Sequence, residues 1–162
     1  MATITTLTEG GRLVAINVEL PAGILPHRLL YGTARFRQFL EVDLHAIRRY
    51  WDPELEPAQQ VLALLEAYIG GYPLLFQRQY WPLKPHEDGI WELKTPDVRI
   101  FGWFRQKDLF IAVNGMDATE VKAGHYYGPF VREAVWHRQS LDLDGGIFVE
   151  GDDPDDVVSV PA

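Results

Sequence analysis

Residues 89–115, GIWELKTPDVRIFGWFRQKDLFIAVNG, carry the clearest structural signal in this chain. They divide into three short segments rich in β-branched and aromatic residues, which favour a pleated, half-buried strand. Residues 95–97 and 106–108 separate the segments, and their Pro and Asp residues are typical of tight turns. The pattern predicts a three-stranded antiparallel meander, which becomes stable when helices cover its apolar face.

Two amphipathic helices are predicted before this meander and one after it. Thr33 is a good N-cap for a helix over residues 34–51, whose apolar residues recur at three- and four-residue spacing, and Pro53 ends it. Pro57 begins a second helix that ends at Gly70-Gly71, so the two helices form a hairpin. Pro129 stands at the favoured first position of the third helix.

These elements predict an α+β fold in a single domain. Its small antiparallel sheet, the meander plus one or two extra strands, packs against the two N-terminal helices and the C-terminal helix. The domain spans residues 1–140, with a core over 33–140 and an N-terminal strand extension over 1–32. Residues 141–162 are predicted to be an acidic, partly flexible tail.

The charge of the chain is unevenly distributed. The net charge is −8, but no Lys or Arg follows Ser140, and the tail beyond it holds seven acidic residues. The body of the protein is therefore close to neutral and contains every basic side chain. A neutral body neither indicates nor excludes a nucleic-acid partner, because a local basic patch matters more than the sum.

Composition excludes several kinds of site. The chain has no Cys, so disulfides, thiolate zinc sites and cysteine nucleophiles are excluded. The five His residues show no HxxxH or HxH pair, and no glycine-rich phosphate loop is present. We therefore expect neither a metal ion nor a cofactor. We also expect a cytoplasmic protein, since no signal peptide or membrane-spanning apolar run is found.

Basic residues flank both turns of the predicted meander. Lys94 and Arg99 flank the first turn, and Arg105 and Lys107 flank the second. Alternation along a strand places Arg99 and Trp103 on the same face. If helices cover only the other face, this one presents cations beside aromatic rings, which suits RNA. The alternative is a solvated face on which Arg99 lies over an aromatic ring.

A second candidate group lies just before the third helix. His125, Tyr126 and Tyr127 end a polar loop that also contains Lys122. A His and a Tyr with tuned pKa values can transfer protons near neutral pH. The alternative is that these aromatic residues only fix the start of the helix.

Short motifs in this region resemble a known family. IWELK at 90–94 resembles an (L/I)WELR strand, VRIF at 98–101 resembles a (Y)RI(F/Y) strand, and LFIAVNGM at 109–116 resembles (I)(V)LLHGF. All three motifs are typical of the RelE/ParE/HigB toxin superfamily, especially its phage-related HigB-like branch. The resemblance covers roughly residues 33–140 and implies a RelE-like fold.

The resemblance also implies a function. Many members of this superfamily are ribosome-dependent mRNA endonucleases that need no metal ion and are held inactive by a cognate antitoxin. Carried over by position, the residues implied to be catalytic are Arg99, Lys94, His125 and Tyr126. Those implied to bind RNA are Arg105, Lys107, Lys122 and Trp103.

The chain departs from the family after the third strand. Residues 116–120 are acidic, where these toxins usually have a Lys-rich run. One alternative is therefore a protein-binding module that keeps the fold without nuclease activity. Another is a metal-free small-molecule enzyme that uses His125 and the neighbouring tyrosines. A further hypothesis is that the acidic tail covers the basic cleft as an internal RNA mimic.

Overall fold

The computed structural model describes residues 1–124 and 127–160. Within them the helices are α1 (Ile4–Glu9), α2 (Ala34–Glu41), α3 (Pro57–Ile69), α4 (Ala118–Gly124) and α5 (Tyr127–Leu141). The strands are β1 (Leu13–Ala15), β2 (Leu29–Thr33), β3 (Tyr80–Pro82), β4 (Ile90–Lys94), β5 (Val98–Gln106) and β6 (Leu109–Asp117). None of the helices in this part of the chain has the length and apolarity that a membrane span requires.

The six strands form one mixed sheet in the order β1-β2-β6-β5-β4-β3. The α+β class is confirmed, but the prediction of a wholly antiparallel sheet is wrong, because β2 runs parallel to β6. Three strands join β4, β5 and β6, where one or two were expected. Sequence pattern does not indicate β2, because its sequence, LLYGT, follows Pro26 closely and contains Gly32, and both residues favour a loop.

Helices cover both faces of the sheet. On one face, α2 and α3 pack against the alternate residues Val98, Ile100 and Phe104 of β5. On the other face, α1, α4 and α5 bury Phe101 and Trp103. The prediction of a free, arginine-bearing sheet face is therefore wrong. The polar segment over residues 116–124 gave no sign of α4, because only Ala118 and Val121 bury an apolar side chain there.

The start of α2 agrees with the sequence prediction, but its end does not. The hydroxyl of Thr33 accepts a hydrogen bond from the backbone N–H of Phe36 at 3.2 Å, which caps α2 as predicted. The helix ends at Glu41, well before the expected end at Pro53.

The helix α2 packs closely on β6. A Cβ atom added at Gly115 would lie 2.3 Å from the ring of Phe39, so only glycine lets this ring lie against β6.

The acidic tail is folded onto the body, which corrects the prediction of a flexible end beyond Gly151. Val157 and Val158 are buried in the core beneath α3. The buried guanidinium of Arg28 donates to the carbonyl oxygen of Ser159 at 2.8 Å. The backbone N–H of Ser159 donates to the carboxylate of Asp108, also at 2.8 Å. The two valines supply the apolar burial that the tail's charged residues do not.

Candidate functional site

A cleft of about 520 Å³ opens where β4 turns into β5. Its walls come from α3, α4, the β4–β5 turn, the α2–α3 loop (residues 47–56) and the α3–β3 loop (residues 70–79). Four cationic side chains and one carboxylate, that of Asp52, line it. We call this site the basic cleft, and its cationic residues are Arg78, Lys94, Arg99 and Lys122.

A buried polar network shapes the β4–β5 turn behind the basic cleft. The side-chain amide of Gln60 donates to Asp97 Oδ2 at 2.7 Å, and its oxygen accepts from the Thr95 hydroxyl at 2.9 Å. The same oxygen accepts the backbone N–H of Asp97 at 3.0 Å. Burial alone would raise the pKa of Asp97, but hydrogen bonds from Gln60 and from the backbone of Trp51 outweigh it and lower that pKa. Asp97 is therefore a fixed anion that holds the turn.

Arg99 stabilises the same turn by hydrogen bonds from the face of the sheet that α4 and α5 cover. It is only 5% exposed, and one terminal nitrogen donates to the carbonyl oxygens of Thr95 and Val98. Its Nε atom lies 3.9 Å from Glu92 Oε2, which is an ion pair without a hydrogen bond. Arg99 thus contributes positive charge to the basic cleft while one of its terminal nitrogens is hydrogen-bonded inside the protein.

Lys94 lines the basic cleft, and the carboxylate of Glu92 is buried next to it. The Nζ atom of Lys94 donates to the carbonyl of Gln77 at 2.9 Å and lies 3.9 Å from Glu92 Oε1. Burial raises the pKa of Glu92, and the cations Arg99 and Lys94 oppose this only in part. Burial also lowers the pKa of Lys94; Glu92 opposes that shift, while the positive charges of Arg99 and Lys122 add to it. A lysine of this kind gives up its proton more readily than an exposed one.

The structure brings together some of the predicted site residues and separates others. Lys94, Arg99 and Lys122 line the basic cleft. Trp103 is completely buried between the sheet and α5, so it presents no aromatic surface to a ligand in this structure, contrary to the prediction. The predicted catalytic residues His125 and Tyr126 lie outside the described residues.

The remaining two predicted RNA-binding residues lie at the opposite end of β5. Arg105 forms an ion pair with Asp144 at 2.7 Å, and Lys107 is exposed in the β5–β6 turn. Six residues of strand separate Arg105 from Arg99, a distance of roughly 20 Å. These two side chains therefore belong to another surface than the basic cleft.

Several residues of the basic cleft and of the network behind it are not indicated by local sequence pattern. Arg78 lies in a proline-bracketed segment without clear periodicity, and Trp51 lies in a loop that was expected to be helical. Gln60 looked like an ordinary polar residue of α3. Only the contacts of the folded chain bring these residues to the β4–β5 turn, so no local pattern could indicate them.

Comparison of the chain with protein-family models, with curated proteins and with solved structures gave no match. Among the described residues, no three His, Asp or Glu side chains are grouped so that they could hold a metal ion. The chemistry that the basic cleft itself offers is a concentration of positive charge, a lysine with a lowered pKa and an exposed aromatic ring, that of Trp51.

Proposed function

We propose that the protein is a toxin-type endoribonuclease that binds single-stranded RNA in the basic cleft. The observation that supports this proposal is the meeting of Arg78, Lys94, Arg99 and Lys122 in one cleft, to which Asp52 adds one carboxylate. Clustered positive charge around a groove is how proteins hold a phosphate backbone.

RNA suits the basic cleft better than a small anion does. The four cations come from the α3–β3 loop, β4, β5 and α4, so they line different walls instead of surrounding one point. A chain of phosphates can contact several of them at once. The apolar side of the cleft, which includes Trp51 and Leu75, can accept bases that are not paired with another strand.

Cleavage would proceed by in-line attack of a ribose 2′-OH on the adjacent phosphorus. A bond forms between O2′ and phosphorus as the 2′-OH releases its proton to solvent, while the bond from phosphorus to O5′ breaks and the leaving O5′ takes up a proton. Lys94 would donate that proton, since its lowered pKa favours transfer. Lys122 and Arg99 would stabilise the negative charge that builds up on the phosphate.

This proposal implies two macromolecular partners, a ribosome and an antitoxin. A ribosome would present the mRNA, and a cognate antitoxin protein would restrain the toxin in the cytoplasm. Both expectations come from the resemblance to the RelE/ParE/HigB superfamily and its motifs at 90–94, 98–101 and 109–116.

Induced expression in a bacterial host tests the proposal. We expect growth arrest, together with cleavage of a labelled mRNA by the purified protein in the presence of ribosomes. Lys94→Ala and Lys122→Ala should relieve the arrest and slow cleavage at least tenfold. Lys107→Ala removes an equal charge from the distant β5–β6 turn and should change neither result. Normal growth and intact mRNA with the wild-type protein would refute the nuclease.

The second candidate function is a protein-binding module without nuclease activity. The observation that favours it is the pair of exposed apolar side chains, Leu55 and Leu75, that line the cleft beside the cations. An acidic amphipathic helix would match both features. Binding of a synthetic peptide of that kind to the basic cleft, with no binding of single-stranded RNA, would favour this function over the first.

A further inference from the structure

Trp51 is an exposed aromatic residue that the fold holds firmly in place. Its side chain is 50% exposed although its backbone N–H donates to Asp97 at 2.7 Å. The indole N–H donates to the hydroxyl of Thr119 at 3.2 Å, and the ring of Tyr50 meets the indole edge-on at 4.7 Å. The hydrogen bonds of the backbone N–H and the indole N–H, together with the contact from Tyr50, therefore hold the Trp51 ring in place without a ligand.

The residue that fixes Trp51 is itself part of the buried network of the turn. Asp97 accepts backbone hydrogen bonds from Tyr50 and Trp51 and a third from Gln60. Such bonds to a buried carboxylate are stronger than those between neutral groups. The α2–α3 loop therefore has little freedom at this point, and the ring needs little ordering when a ligand binds.

A cation lies over the face of this ring. The Nζ atom of Lys122 is 4.7 Å from the centre of the Trp51 ring, and both side chains line the basic cleft. Lys122 is exposed and has a flexible stem, so it can move onto a neighbouring anion at small cost. When Lys122 moves from the ring face to a phosphate, the indole is left open to the base, so the pair offers contacts to both parts of a nucleotide.

We propose that Trp51 is the base-stacking subsite of the basic cleft, and that Lys122 contacts the phosphate next to the stacked base. This inference rests on the proposed function, because it specifies how single-stranded RNA occupies the same site. Every base has a flat face, so stacking on an indole tolerates any sequence and favours the larger purines. We therefore expect tighter binding of oligoadenylate than of oligouridylate.

Direct binding measurements test the subsite. The two ligands are an end-labelled oligoadenylate of about eight nucleotides and an abasic ribose-phosphate oligomer of equal length. Trp51→Leu should weaken binding of oligoadenylate roughly tenfold, the usual scale of one base–aromatic stack, and leave the abasic oligomer unaffected. Trp51→Phe should keep most of the affinity. Trp136→Leu, which removes an indole 62% exposed on α5, is the matched control and should have no effect.

Intrinsic fluorescence gives a second readout that does not depend on the Leu variant folding. Trp91 and Trp103 are buried, so a stacked base can quench only the exposed indoles. Oligoadenylate should quench the wild-type protein, and Trp51→Phe should remove most of that quenching, while Trp136→Phe should not.

The possible outcomes separate this inference from the proposed function. Equal affinity of the wild-type protein for both oligomers, or unchanged quenching in Trp51→Phe, would overturn the stacking subsite and leave the RNA-binding cleft standing. A wild-type protein that binds neither oligomer would refute the proposed function and this inference together. Loss of both ligands in Lys122→Ala, with loss of oligoadenylate alone in Trp51→Leu, supports both.

Discussion

The Oδ1 atom of Asp97 accepts the backbone N–H of Trp51 at 2.7 Å, and this bond ties the α2–α3 loop to the β4–β5 turn. Forty-six residues separate the two partners along the chain. Because Asp97 also accepts the side-chain amide of Gln60, one carboxylate organises α3, a loop and a turn around the basic cleft. The shape of the cleft therefore depends on a residue that does not line it.

Replacement of Asp97 should loosen all three elements at once. Asp97→Ala leaves the amide of Gln60 and two backbone N–H groups without their acceptor, so we expect the free energy of unfolding to fall by roughly 2–4 kcal/mol. Urea denaturation measures this change. Asp43→Ala, which breaks only the exposed ion pair with Arg35, should cost less than about 0.5 kcal/mol. Equal effects of the two substitutions would contradict the role of Asp97.

Glu92 should make stability depend on pH. Burial raises its pKa above the ordinary 4.5, so the folded state holds the proton more tightly than the unfolded chain does. The stability that Glu92 contributes is therefore present at and below pH 4.5 and is lost as the pH rises through the folded-state pKa. Glu92→Gln removes this titration, so the variant should gain stability relative to the wild type between pH 4 and pH 7.

Denaturant unfolding at several pH values between 4 and 7 checks this prediction. Glu19→Gln changes an exposed carboxylate, and the difference in unfolding free energy between that variant and the wild type should stay constant. If Glu92→Gln instead loses stability relative to the wild type as the pH rises, Lys94 and Arg99 stabilise the charged carboxylate more than burial destabilises it.

Arg28 should hold the acidic tail on the body. Its guanidinium donates to carbonyl oxygens of Tyr68, Tyr72 and Ser159, so it joins the end of α3 to the tail. Arg28→Met removes these hydrogen bonds and the ion pair with Asp108, with an expected loss of about 3–5 kcal/mol. Limited proteolysis should then remove the tail first. Arg48→Met, at an exposed position, should leave the tail protected.

From the proposed function, the salt dependence of RNA binding should reveal how many cations contact phosphate. Each contact to a single strand contributes about 0.7 to the slope of log affinity against log salt concentration. The double variant Lys94→Ala, Lys122→Ala should therefore lower the magnitude of that slope by about 1.4. Titrations between low and physiological salt give the slope. The double variant Lys84→Ala, Lys107→Ala removes two exposed charges outside the basic cleft and should leave the slope unchanged.

Local sequence pattern predicted much of the fold. β-branched and aromatic residues marked the segments that became β4, β5 and β6, and Thr33 marked the start of α2. Pattern failed where a segment is stabilised mainly by distant contacts. β2 pairs with β6 some eighty residues away, and the tail is held by two buried valines and by Arg28.

The sequence by itself determined the α+β class, the positions of the central strands and the cations Lys94, Arg99 and Lys122, because strand propensity and charge are properties of short segments. The tertiary structure alone decided which of the basic residues share a site. It buried Trp103, placed Arg105 and Lys107 at the far end of β5, and added Arg78 and Trp51 to the basic cleft. The physical reason is that a cleft forms from residues far apart in the chain, and its geometry depends on buried bonds such as that between Asp97 and Trp51.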